Sequence, residues 1–127
     1  KNVAGVKDSS NDVTRPSLLS AELKAGNDNF VQLGAIDDQA LAFNANGGHG
    51  IFSVAGNVAP ALCAQLQELS LAGDFAGARA IHKKLMPLYL AMSCDTNPVP
   101  VNYAMSLLGV MSDEVRLPLV GLSEQSK

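Results

Sequence analysis

Three short apolar runs, each followed by a helix-like segment, constrain the fold more than anything else in the chain. Val3-Ala4-Gly5-Val6 passes at Lys7 into small polar residues, Phe30-Val31-Gln32-Leu33 follows, and Ile51-Phe52-Ser53-Val54 completes the set. After the first run, Asp8 to Asp12 supplies loop and helix-start residues, and Pro16 suits only a first helical turn. Leu19 and Leu23 then share a face before Gly26 and the Asn27-Asp28-Asn29 turn stop the helix. After the second run, Asp37 or Asp38 is placed to cap a helix carrying Ala40, Leu41 and Phe43, which Gly47-Gly48 ends. The alternation predicts repeated βα units. The third run, apolar except at Ser53, suits a parallel sheet covered by helices, and no domain break is signalled before residue 57.

From Asn57 onward the pattern is wholly helical. Asn57 reads as a cap and Pro60 as a first-turn residue, with Leu62, Leu66 and Leu69 forming a stripe that ends at Gly73. Asp74 caps the next helix, in which Phe75, Ala78, Ile81, Leu85, Leu88 and Met92 recur at steps of three and four. Pro87 lies inside it and is expected to kink or divide it. Asn97-Pro98-Val99-Pro100 opens a third helix, closed by Gly109 after Leu107-Leu108. Beyond Arg116 the segment Leu117 to Val120 reads as extended, and Ser123 to Lys127 as frayed.

Composition excludes several function classes. A net charge of −3 over 127 residues, with scattered lysines and arginines, provides no basic field for nucleic acid. Cys63 and Cys94 lie far apart without a Cys-x-x-Cys pair, and both are expected as buried free thiols of a reducing compartment. No signal-peptide pattern and no apolar run of about 18 residues occurs, so the reading is cytoplasmic, without membrane insertion.

Few side chains qualify for chemistry. His49 and His82 share no ligand spacing with each other or with the cysteines, so no metal site is expected. His82, beside Lys83 and Lys84, reads as a surface residue, and His49 stands at the start of a strand, the wrong end for barrel chemistry. Gly47-Gly48-His49-Gly50 precedes a strand instead of opening a helix, which argues against a phosphate cradle. Asp37 and Asp38 are adjacent and diverge, so a helix cap is preferred to an acid/base pair. Tyr89 and Tyr103 fall in the late helices, as packing residues. Lys7 remains. A buried strand would deliver its amine to the loop face of a sheet, where apolar walls disfavour the charged form and free the nitrogen to attack a carbonyl.

Six segments, in chain order, carry a resemblance. Gly5-Val6-Lys7-Asp8-Ser9-Ser10-Asn11-Asp12, Gly47-Gly48-His49-Gly50-Ile51-Phe52-Ser53-Val54 and Asn57-Val58-Ala59-Pro60 come first. Leu85-Met86-Pro87-Leu88, Asn97-Pro98-Val99-Pro100-Val101 and Arg116-Leu117-Pro118-Leu119 follow. Together they resemble the pyruvate-dependent lyase and aldolase family typified by dihydrodipicolinate synthase.

The resemblance implies an α/β fold, the C-terminal half of a (β/α)₈ TIM barrel. Its last three βα units would occupy residues 1–73, with a C-terminal helical extension over 74–127. A full barrel takes about 250 residues, and the opening Lys1-Asn2-Val3, without an initiator methionine, reads as an internal piece of a longer protein. The implied reaction condenses pyruvate with aspartate semialdehyde to 4-hydroxy-tetrahydrodipicolinate, with Lys7 as the Schiff-base residue and no cofactor. Another pyruvate-dependent aldolase, such as an N-acetylneuraminate or keto-deoxy sugar acid lyase, and a non-catalytic α/β binding module are the alternatives. Phe52 matches a position, usually isoleucine, whose backbone carbonyl contacts pyruvate. Ala35 stands at the glycine of an expected Ser-Gly-Asp/Glu-Asp, where its Cβ would narrow the substrate site, and Asn102 replaces a usual lysine. The expected partners are the missing N-terminal half of the barrel and further copies in a homotetramer. The chain alone is expected to turn over little substrate, because the family's proton-relaying tyrosine, carboxylate-binding threonines and arginine belong to the missing half.

Overall fold

The computed structural model describes residues 2–23 and 29–127, so Gly26 and the Asn27-Asp28 part of the expected turn lie outside the described residues. The fold is α/β. Strands β1 (Gly5–Asp8) and β2 (Val31–Gly34) pair in parallel, with Gly5 opposite Val31 and Lys7 opposite Leu33. Between them runs α1 (Arg15–Glu22), with Pro16 buried in its first turn, where a missing amide costs nothing.

The third apolar run departs from the expected strand. It stays beside β2 through hydrogen bonds from His49 N to Gln32 O (2.8 Å), Gly34 N to Gly50 O (3.0 Å) and Phe52 N to Gly34 O (2.8 Å). Only one parallel bridge forms, Gly34 to Ile51. The pairing stops because the next amides, of Val54 and Ala55, donate to the Asp37 carboxylate instead of to a strand.

Asp37 therefore does not cap its own helix. It begins a 3₁₀ turn, Asp37–Gln39, whose N-cap is Ile36, and α2 (Ala40–Ala45) follows directly. Asn57 is likewise no cap: it sits in a second 3₁₀ turn, Ala55–Asn57, and α3 (Pro60–Leu71) starts from Ala59. Asp74 does cap α4 (Phe75–Met92), accepting from Gly77 N at 2.9 Å. Pro87 leaves α4 undivided; the proline is exposed, so the hydrogen bond it forfeits lies on the wet side of the helix.

Helix α5 (Val99–Leu107) holds Pro100 in its first turn. After it the chain is neither extended nor frayed. Leu119 N bonds Arg116 O at 3.0 Å, and Ser126 N and Lys127 N both donate to Ser123 O in a helical turn. Lys127 pairs with Glu124 at 2.7 Å and lies over the Tyr103 ring, and Leu122 is buried.

The core joins α2, α3, α4 and the second 3₁₀ turn. Ala40, Ala55, Cys63, Leu66, Ile81, Leu85 and Tyr89 form one buried cluster. Cys94, expected to be buried, is exposed, because it follows the C-cap Ser93 and leaves the packed face of α4. Among the described residues no helix is long and apolar enough to cross a membrane.

Candidate functional site

Strand alternation places Gly5 and Lys7 on one face of β1, in register with Val31 and Leu33. Phe52, one residue past the Ile51 bridge, projects its ring to the same place, and the Lys7 Nζ lies 5.5 Å from the ring centroid. That separation is within cation–π range. These residues line an apolar groove of about 340 Å³. Lys7 and Phe52 both sit toward the C-terminal ends of the parallel segments, the end where α/β sheets carry their chemistry. An amine there, bordered by Val31, Leu33 and an aromatic ring, is suited to hold a small carbonyl compound.

The strand that carries Lys7 is not buried. Lys7 is exposed, Phe52 is 54% exposed and Val31 40%, because among the described residues no helix or strand covers that face of the sheet. On the opposite face Asp8 is held to Ser10 N (2.7 Å) and to Arg15 Nε (3.3 Å). Burial works to raise its pKa, but the Ser10 hydrogen bonds and the Arg15 charge outweigh that and keep the carboxyl below its ordinary value.

Ala35 does not join Lys7 and Phe52 in the groove. It lines a separate cleft of about 370 Å³, with Asp37, Asp38, Tyr89, Asp95 and Asn97. Tyr89 is a buried core residue here, as expected, and burial followed by the nearby Cys63, Asp37 and Asp38 charges pushes its pKa well up. Its hydroxyl keeps its proton at neutral pH.

Three roles escaped sequence reasoning. Asp37 reaches across the chain to accept from Val54 N (2.9 Å), Ala55 N (3.0 Å) and the Ser53 hydroxyl. Its identity as an aspartate in a turn gave no local sign of this, since its partners come from the next βα connection. Buried Gln32 donates from Nε2 to Pro16 O and Ser20 Oγ, tying α1 to β2. His49 accepts from Gln32 N through Nδ1 at 3.1 Å, so it braces the start of the third run. His82, expected at the surface, is half-buried with an unpartnered Nδ1, because α4 turns it toward α2 and Tyr89.

A family model, the dihydrodipicolinate synthetase family, matches residues 1–127. The 4-hydroxy-tetrahydrodipicolinate synthase of Methylobacterium radiotolerans is 50% identical over 127 residues, covering 100% of this chain and 42% of the relative. Among solved structures, dihydrodipicolinate synthase from Aquifex aeolicus superimposes with a TM-score of 0.92 at 35% identity, over 98% of this chain and 42% of that one. A chloride-inhibited dihydrodipicolinate synthase from Acinetobacter baumannii, complexed with pyruvate, gives a TM-score of 0.90 at 30% identity, with coverage of 98% and 42%. The chain thus spans about two fifths of the length of these relatives, 42% in each case.

Proposed function

The chain belongs to the dihydrodipicolinate synthetase family, and from that premise we propose that it is the lysine-bearing part of an enzyme condensing pyruvate with aspartate semialdehyde. The product is 4-hydroxy-tetrahydrodipicolinate, on the route to diaminopimelate and lysine. The observation that carries this reading is the Lys7 amine set over the Phe52 ring, on an apolar wall at the C-terminal end of the parallel segments.

In this reading the free Lys7 amine adds to the keto carbon of pyruvate, and the resulting carbinolamine takes up a proton and loses water to leave a protonated Schiff base. That cation draws electrons from the adjacent methyl group, which gives up a proton to form an enamine, and the enamine carbon attacks the aldehyde. The Phe52 main-chain carbonyl receives the bound keto acid, and the Ala35 Cβ limits the size of the separate cleft that it lines. Residues 1–73 serve as the last three βα units of a barrel and 74–127 as its helical extension. The remaining strands close over Lys7 and supply proton transfer and carboxylate binding, and the assembled enzyme works in the cytoplasm as a homotetramer.

The test is reductive capture. Pyruvate and borohydride added to the full-length protein should leave a reduced pyruvate adduct on the Lys7 peptide, found by mass spectrometry, and Lys7→Ala should remove it. Folded protein that yields no adduct would be a binding module. Turnover of a sugar acid in preference to aspartate semialdehyde would move the protein to the aldolase branch.

A further inference from the structure

We infer that Asp37 is a positioning residue for the Lys7 site, a clamp that sets the direction of the Phe52 carbonyl. The inference rests on the function proposed above, in which that carbonyl meets the keto acid.

Both flanks of Phe52 are held by one short stretch of chain. On the N-terminal side its own amide donates to Gly34 O at 2.8 Å. On the C-terminal side, one Asp37 carboxylate oxygen accepts from Val54 N at 2.9 Å and Ala55 N at 3.0 Å, and the other accepts from the Ser53 hydroxyl. Ser53 Oγ in turn accepts from Gly56 N at 2.8 Å, which locks its rotamer. Between these anchors the Phe52 carbonyl accepts no hydrogen bond from the described residues. A peptide pinned on each side and vacant in the middle presents its oxygen in a fixed direction without reorganisation when a ligand arrives.

The chemistry at residue 37 fits the task. Three donors converge on two oxygens and none of them needs a donor in return, which an acceptor-only carboxylate satisfies and an amide meets only in part. With alanine at this position the Val54 and Ala55 amides lose their acceptor, and the turn that begins at Ala55 no longer has a reason to leave the sheet where it does.

The experiment measures the pyruvate concentration that half-saturates borohydride capture at Lys7 in the full-length protein, together with thermal melting. For Asp37→Ala the half-saturating concentration should rise about three- to tenfold, the scale of one typical hydrogen bond's net contribution, while capture at saturating pyruvate persists. Asp37→Asn should fall between, and Ser53→Ala should show a smaller rise. A lowered melting temperature with unchanged half-saturation in Asp37→Ala would overturn the inference and leave a purely structural role. If Asp37→Ala fails to fold, unchanged half-saturation in both Asp37→Asn and Ser53→Ala overturns it equally. Capture that is absent from the unsubstituted protein would defeat the proposed function itself, whereas normal capture with indifferent variants defeats only the clamp.

Discussion

His82 shows how a side chain can look solvated in the sequence and behave otherwise. Flanked by lysines, it nevertheless packs 5.7 Å from the Tyr89 ring with its Nδ1 buried and unpartnered. Burial pushes its pKa below the ordinary 6.5, with the Asp38 charge working weakly the other way. The folded state therefore resists a proton that the unfolded chain accepts readily. Stability from this group is present above pH 6.5 and is lost as pH falls from there through the lowered folded value. Melting curves collected from about pH 7 to pH 5 should show His82→Gln losing less stability on acidification than the parent. The two thiols should separate in the same spirit. Burial, partly offset by the Ser53 hydrogen bond, raises the pKa of Cys63 while Cys94 is exposed. Iodoacetamide should thus modify the Cys94 peptide well before the Cys63 peptide in native protein, and equal rates would refute this contrast. Lys7 was legible as an amine at the end of a strand, and Phe52 only through the family resemblance; that the two meet on one sheet face is set by the parallel register. Asp37 and Gln32 were not, since their partners are set by tertiary placement that no local pattern encodes.

At the level of elements, punctuation residues told most of the story. Pro16, Pro60 and Pro100 each stand in a first turn, and apolar spacing outlined α3 and α4. The reading failed where a segment's end depends on a distant group, as in the third run, which stops at Asp37's reach, and in the last turn, which Leu122 and Lys127 anchor. The paired glycines after α2 serve different ends. Gly47 sits at φ +94°, a left-handed value with open space around it, whereas a Cβ on Gly48 would run into Phe43 Cδ1 and meet Phe43 O at 2.8 Å. Gly48→Ala should therefore destabilise by overpacking, at about 1–3 kcal/mol in denaturant unfolding. Asp74→Ala should cost about 1 kcal/mol by uncapping α4, and because Ile81, Leu85 and Tyr89 carry the core, that loss should appear as reduced global stability and not as local fraying.

For the molecule as a whole, the decisive feature is a sheet with one face bare. The alternation of runs and helices announced parallel βα units, but the bareness of that face had no local sign, because alternation fixes which residues share a face and not what covers it. Phe52 is 54% exposed and Val31 40%, and such a face beside unpaired strand edges invites association. The 127-residue chain by itself should sediment as larger species at rising concentration, and Val31→Lys should shift it toward monomer; monomeric behaviour throughout would show that the face is tolerated. The same openness turns Lys7 into a gauge of assembly. In the bare form an acylating reagent meets its amine as freely as those of Lys83 and Lys84 on the outside of α4, all three being exposed. In the closed barrel proposed above, a reagent too bulky to enter the barrel mouth should lose the first while the other two go on reacting, so footprinting by mass reads out enclosure with no substrate present.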